Sequence, residues 1–111
     1  QNWLQEKAVE YLPNRLNQVS KKLNLPYNTL KIKRQQTRWG SCSVKRNINL
    51  NRNLMLMPSE VVDYVLHHEL VHLNVLNHSS KFWEELERSL PQFKKGRGQL
   101  RAQTIPEWAL V

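Results

Sequence analysis

The chain of 111 residues has a single cysteine, Cys42, so no intrachain disulfide can staple it. A reducing, cytoplasmic setting is the expectation. At this length a chain buries roughly 65% of its unfolded surface, enough for a core without staples. No run approaches the ~20 apolar residues of a membrane span, and the mean hydropathy is −0.66. We therefore expect no membrane partner. No charged, apolar and small-residue leader opens the chain. No internal repeat and no low-complexity run divides it, so residues 1–111 read as one domain. The first residue is Gln1 and not Met, which reads as a fragment or a trimmed product.

Acidic residues are also scarce. Nine Asp and Glu oppose seventeen Lys and Arg, for a net charge of +8. None lies between Glu10 and Glu60, a stretch that holds ten basic residues, among them Lys31, Lys33, Arg34, Arg38 and Lys45. Such asymmetry suits an acidic partner, with nucleic acid as one possibility, and equally suits a solvated basic surface.

Apolar spacing predicts a helix over Trp3 to Leu23, with Pro13 either kinking it or opening a second helix. Leu30–Lys33 and Asn47–Asn51 alternate apolar and polar residues as strands do. Between them Lys45-Arg46-Asn47 suits a turn. A long helix is expected from Pro58 to about Leu76, stopped by Asn77. A further helix, capped by Ser79 or Ser80, should run to about Leu90, and a short last one should follow Pro91. The tail 104–111 is apolar and is expected to dock on the rest, either packed on the helices or folded over the cleft as an inhibitory segment.

All four histidines fall between positions 67 and 78. His68-Glu69-Leu70-Val71-His72 is an H-E-x-x-H string. On a helix, residues four apart are offset by about 40°, so His68 and His72 can grip one metal ion from one face. Glu69 stands about 100° away, beside the ion, where a carboxylate can take a proton from activated water. The wheel places this pair among apolar residues such as Val61, Val65 and Leu76. Buried imidazoles and a buried carboxylate need partners, and a metal supplies one. His67 falls in the narrow polar strip with Asp63 and Asn74, and is expected to face solvent. A catalytic zinc takes three protein ligands. His78 lies six residues after His72, the spacing of longer H-E-x-x-H-x-x-G-x-x-H motifs, although Val75 replaces the glycine. Glu84, Glu85 or Glu87 could supply the third ligand instead.

Taken together, Arg38-Trp39-Gly40-Ser41-Cys42-Ser43, Ile48-Asn49-Leu50-Asn51, Val62-Asp63-Tyr64-Val65, the H-E-x-x-H string, Asn77-His78-Ser79 and Phe82-Trp83 resemble the YgjP-like family of small zinc metallopeptidases. The resemblance spans about residues 11–90. A more distant likeness is to SprT-like proteases. The resemblance implies an α+β, zincin-like domain, with a small antiparallel sheet packed against an active-site helix and flanking helices. It assigns zinc to His68, His72 and His78 and general-base catalysis to Glu69, acting on a peptide or protein substrate. Members commonly carry a glycine in the turn at 45–47 and more sequence before the first helix, so this chain reads as a minimal or truncated form. Arg38 to Ser43 could be an edge strand that receives a peptide, with Trp39 walling the cleft, or plain packing. Arg38, Trp39 and Tyr64 are the candidate substrate contacts, and Arg38 and Tyr64 could also support an oxyanion. Phe82 and Trp83 are expected to anchor the core. Three rival functions remain at this stage: a basic nucleic-acid module with a structural zinc, or in combined form a protease recruited to nucleic acid; a zinc hydrolase of non-peptide amides or esters; and a former enzyme kept as a binding scaffold, against which the intact Glu69 argues.

Overall fold

The computed structural model describes residues 2–34 and 38–102. The expected tail at 104–111 lies outside them. Helix α1 runs from Asn2 to Leu23 as one helix with Pro13 inside it. Leu4, Ala8, Leu12, Leu16 and Val19 form its buried stripe. Asn24 ends it in the left-handed conformation, φ 56°. There Leu25 N–H donates to Ser20 C=O (3.0 Å) and Asn24 N–H to Lys21 C=O (3.2 Å), the paired bonds of a Schellman cap.

Three strands follow: β1 (Thr29–Lys33), β2 (Gly40–Cys42) and β3 (Asn47–Asn51), in the order β1-β3-β2. The small sheet is mixed and not wholly antiparallel as expected, because β1 pairs parallel to β3 while β2 pairs antiparallel. β2 and β3 pair as a hairpin, and β1 takes the other edge of β3 with the same chain sense. The hairpin turn has no glycine. Arg46 takes the left-handed conformation instead, φ 68°, and its Nε donates to the Pro26 carbonyl at 3.0 Å. One sheet face, carrying Ile48 and Leu50, is buried, while Thr29, Lys31 and Lys33 are exposed.

A 3-10 turn, Arg52–Leu56, leads into α2 (Ser59–Val71), which Pro58 precedes. Then come α3 (Ser80–Ser89) and α4 (Phe93–Arg101). Helix α2 is central and packs against α1, α3, α4 and β2. Every residue from Val61 to Val71 except Asp63 is buried. Helix α4 approaches α2 through Gly96, where a Cβ would lie 2.2 Å from the Glu60 carbonyl oxygen. Among the described residues no helix is long and apolar enough to cross a membrane.

Candidate metal centre

Helix α2 stops earlier than the expected Leu76. Past Val71 the chain tightens: Leu73, Asn74 and Val75 N–H donate to the carbonyls of Leu70, Val71 and Val71 at 3.0 Å. The His72 ring fastens this turn, its Nδ1–H donating to the Val75 carbonyl at 3.1 Å. The early stop lets the chain reverse through 73–77 and return His78 beneath the helix end. Had the helix continued to Leu76, His78 would have been carried away from His72.

His68, His72 and His78 therefore converge, with one ligand atom from each lying within 4.8 Å of the others. Nε2 of His72 and Nε2 of His78 are 3.1 Å apart. Two nitrogens at 2.0–2.1 Å from one tetrahedral ion stand about 3.3 Å apart, so this edge fits a shared ion directly. Because Nδ1 of His72 carries the proton given to Val75, its Nε2 lone pair points at the cluster. Burial, with the charge His68 would carry, lowers the His72 pKa to about 4, so the ring is the neutral form a metal takes. Phe82 packs on all three imidazoles, at 4.6–5.0 Å between centroids.

Glu69 is fully buried, and its Oε2 lies 3.3 Å from Nδ1 of His68. Among the described residues neither carboxylate oxygen has a hydrogen-bond partner. Burial pushes its carboxyl well above the usual range, since an ionised carboxylate without donors or a cation is costly there. This carboxylate without donors beside three convergent imidazoles is a donor set that fits a divalent cation. None of Glu84, Glu85 and Glu87 joins the cluster among the described residues. Glu85 instead accepts from Asn74 Nδ2 at 3.4 Å.

Other expected residues sit differently. His67 is 1% exposed and does not face solvent. Its Nδ1–H donates to the Asp63 carbonyl (2.7 Å), and its Nε2 faces Lys22 Nζ on α1 at 3.4 Å. Asp63 receives Arg15 at 3.0 Å. His67 and Asp63 of the polar strip are thus matched to α1, while Asn74 stays exposed, because a helical wheel reports polarity and not what packs against it. Tyr64 is fully buried, edge-on to His68 at 5.7 Å and stacked on Phe93 at 6.4 Å. It supports the site from inside and is not presented to a substrate. Trp39 is buried in the core, not along a cleft. Arg38 is exposed, and its carbonyl accepts from Asn51 Nδ2 at 2.9 Å. Cys42 is a free thiol pushed up to about 11, by burial first and by Glu69 second.

Gly40 has no role legible in the sequence alone. A Cβ there would meet Glu69 Oε2 at 3.1 Å, Glu69 Cγ at 3.2 Å and Val65 Cγ1 at 3.3 Å. Strand β2 therefore lies directly on the Glu69 side chain. The Trp39-Gly40 step was visible in the sequence, but only the packing of β2 on α2 gives it meaning.

The family model of YgjP-like metallopeptidase domains matches residues 1–103. The chain belongs to the YgjP-like metallopeptidase family. No curated protein matches the chain. Among solved structures, this YgjP-like domain is similar to the metallopeptidase zymogen abylysin of Pyrococcus abyssi, with TM-score 0.72 and 24% identity over 84% of this chain and 94% of that one. It is also similar to the zymogen jannalysin of Methanocaldococcus jannaschii, with TM-score 0.68 and 24% identity over 81% and 91%. At these identities the likeness establishes the shared α+β fold.

Proposed function

We propose that this YgjP-like domain is a zinc-dependent peptidase in which His68, His72 and His78 hold the ion and Glu69 is the general base. The observation that carries this is the buried Glu69 carboxylate, without donors, beside three imidazoles whose ligand atoms lie within 4.8 Å. Three neutral imidazoles with a fourth position open are the donor set of a catalytic zinc site. When bound, the ion supplies Lewis acidity and brings the pKa of water from 15.7 to about 7. Glu69 takes the proton of the attacking water and passes it to the departing amine. The Val75 carbonyl holds the His72 tautomer, and Phe82 fixes the three rings. A cation at the cluster also favours the ionised Glu69 that base catalysis needs. The lone Cys42 fits a reducing cytoplasmic setting.

Metal content of the purified chain beside Glu69→Gln and His78→Ala tests the reading. About one zinc per chain is expected in the wild type, retained in Glu69→Gln and weakened in His78→Ala. Peptide hydrolysis should fall by 10²–10⁴ in Glu69→Gln. Wild type that takes up no zinc, or Glu69→Gln with undiminished turnover, overturns it. Lys31, Lys33, Arg34, Arg38 and Lys45, all exposed with no acid between Glu10 and Glu60, also favour an acidic partner at the sheet. Affinity for a nucleic acid that falls steeply with added salt is its measure.

A further inference from the structure

His68 and His72 are only 2% and 3% exposed and Glu69 is sealed, whereas His78 is exposed. A peptide reaching the cluster therefore arrives on the His78 side. The indole of Trp83 lies there, nearly parallel to the His78 ring (29°, centroids 6.1 Å apart) and 6.3 Å from His68. Trp83 is only half-buried. It also lines a cavity of about 440 Å³ between α3 and α4, with Phe93. The two rings stack at 6.0 Å. Glu84 and Glu87 stand one turn apart on the α3 rim, and Lys94 and Arg97 one turn apart on the α4 rim. The Arg97 guanidinium lies 4.5 Å from the centre of the Trp83 ring. Two acids and two cations line the cavity, so its charges balance, and the half-buried Trp83 under Arg97 is its main aromatic surface, with Phe93 buried behind it. The volume falls within the range of small-ligand pockets.

We propose that this cavity is the side-chain subsite adjoining the scissile bond, and that it takes a large apolar, above all aromatic, substrate residue against Trp83 and Phe93. The proposal rests on the peptidase reading above and names the substrate class of that site. Trp83 stacks beside the exposed His78 ring and also lines the cavity, so it is the one side chain that joins the cavity to the open side of the cluster among the described residues. Aromatic rings prefer such offset contacts, worth up to about tenfold in affinity each.

Two measurements test it. The first is cleavage of a mixed peptide library by the zinc-loaded chain, read by mass spectrometry. The second is binding of N-acetyl amino-acid amides (Phe, Leu, Ala, Glu and Lys) to zinc-loaded Glu69→Gln, followed by NMR titration without turnover. Cleavage sites enriched in Phe, Tyr, Trp or Leu at one position are expected, with the Phe amide binding at least about tenfold tighter than the Ala amide. Trp83→Ala should erase both preferences, and Trp83→Phe should keep most of each. Should Trp83→Ala fail to fold, Ser80→Phe, an exposed position lining the cavity, should block Phe amide binding with zinc content unchanged. Cleavage without an apolar position, selection of Glu or Lys, or preferences untouched by Trp83→Ala and Ser80→Phe overturn the subsite while leaving the peptidase standing. Absence of cleavage from every library overturns the peptidase reading, and the subsite with it.

Discussion

Gly40 and Glu69 form one unit at the residue scale. The carboxylate side chain occupies the space a Cβ at position 40 would need, at 3.1–3.3 Å from its neighbours. Gly40→Ala must therefore displace Glu69, Val65 or strand β2. We expect a loss of about 1–3 kcal/mol in thermal denaturation, as for other overpacked sites. Its kcat should fall with KM and zinc content little changed, because the proposed base moves while the ligands do not. Normal kcat in a folded Gly40→Ala would show that Glu69 tolerates the shift. Cys42, on the same strand, makes the opposite kind of prediction. With its thiol pushed up to about 11, only about one part in a thousand is ionised at pH 8, and the thiolate is the reactive form. Alkylation by iodoacetamide at pH 8 should run at least tenfold slower than for free cysteine, whose pKa is about 8.5. Reaction at the free rate would disprove the burial argument.

At the element scale, α4 carries a matched pair of glycines. A Cβ on Gly96 would lie 2.2 Å from the Glu60 carbonyl oxygen, whereas one on Gly98 meets nothing within 4 Å among the described residues. Gly96→Ala should push α4 off α2 and destabilise by about 3 kcal/mol or more. Gly98→Ala, in an open helical position, should stabilise by about 0.5–1 kcal/mol, because glycine costs that much in a helix interior. Denaturant midpoints of the two variants check both signs. Composition alone ranks the two glycines as equal helix breakers, and only the contact with α2 separates them. Elements with strong local signals were legible: the stripe of α1, the alternation of β1 and β3, and the start of α3 after Ser79, although the Ser79 side chain makes no capping bond. Strand β2, three residues long, carries too little periodicity to read. The end of α2 was placed five residues late, because the apolar spacing continues through Val75 and Leu76 while the turn that stops the helix depends on the His72 ring.

Helix α2 sits at the centre of the molecule, and its titratable groups set the pH dependence of the metal-free chain. Burial pushes His67 below its ordinary 6.5 and His72 to about 4. Below pH 6.5 the unfolded chain binds protons at these two groups that the folded chain refuses, so stability falls as pH falls. Glu69 acts in the other direction. It is pushed well above its ordinary 4.5, so the folded chain keeps a proton that the unfolded chain releases, and this group favours folding as pH falls towards 4.5. Two groups oppose one, so net stability should drop between pH 6.5 and 4.5 in chelator. Glu69→Gln removes the opposing group, and its stability should drop more steeply, by up to about one proton in the linkage slope. Equal slopes for the two proteins in urea titrations would refute the buried-acid assignment.

The sequence by itself determined the candidate chemistry. His68, Glu69 and His72 are joined by helical geometry, so their relation is local and needs no fold to be read. His78, six residues on, is nearly local, and its choice over the glutamates of α3 needed only a chain reversal that the sequence could suggest. The tertiary structure decided everything that depends on what packs against what. It buried His67 against Lys22 of α1, paired the half-buried Asp63 with Arg15 of the same helix, withdrew Tyr64 and Trp39 into the core, and laid Gly40 on Glu69. It made the sheet mixed by seating β3 between two strands of opposite sense. Hydrophobic and polar periodicity records which side of an element differs from the other. It does not record which partner covers that side, because partners come from positions such as Arg15 and Asp63, forty-eight residues apart, that only folding brings together.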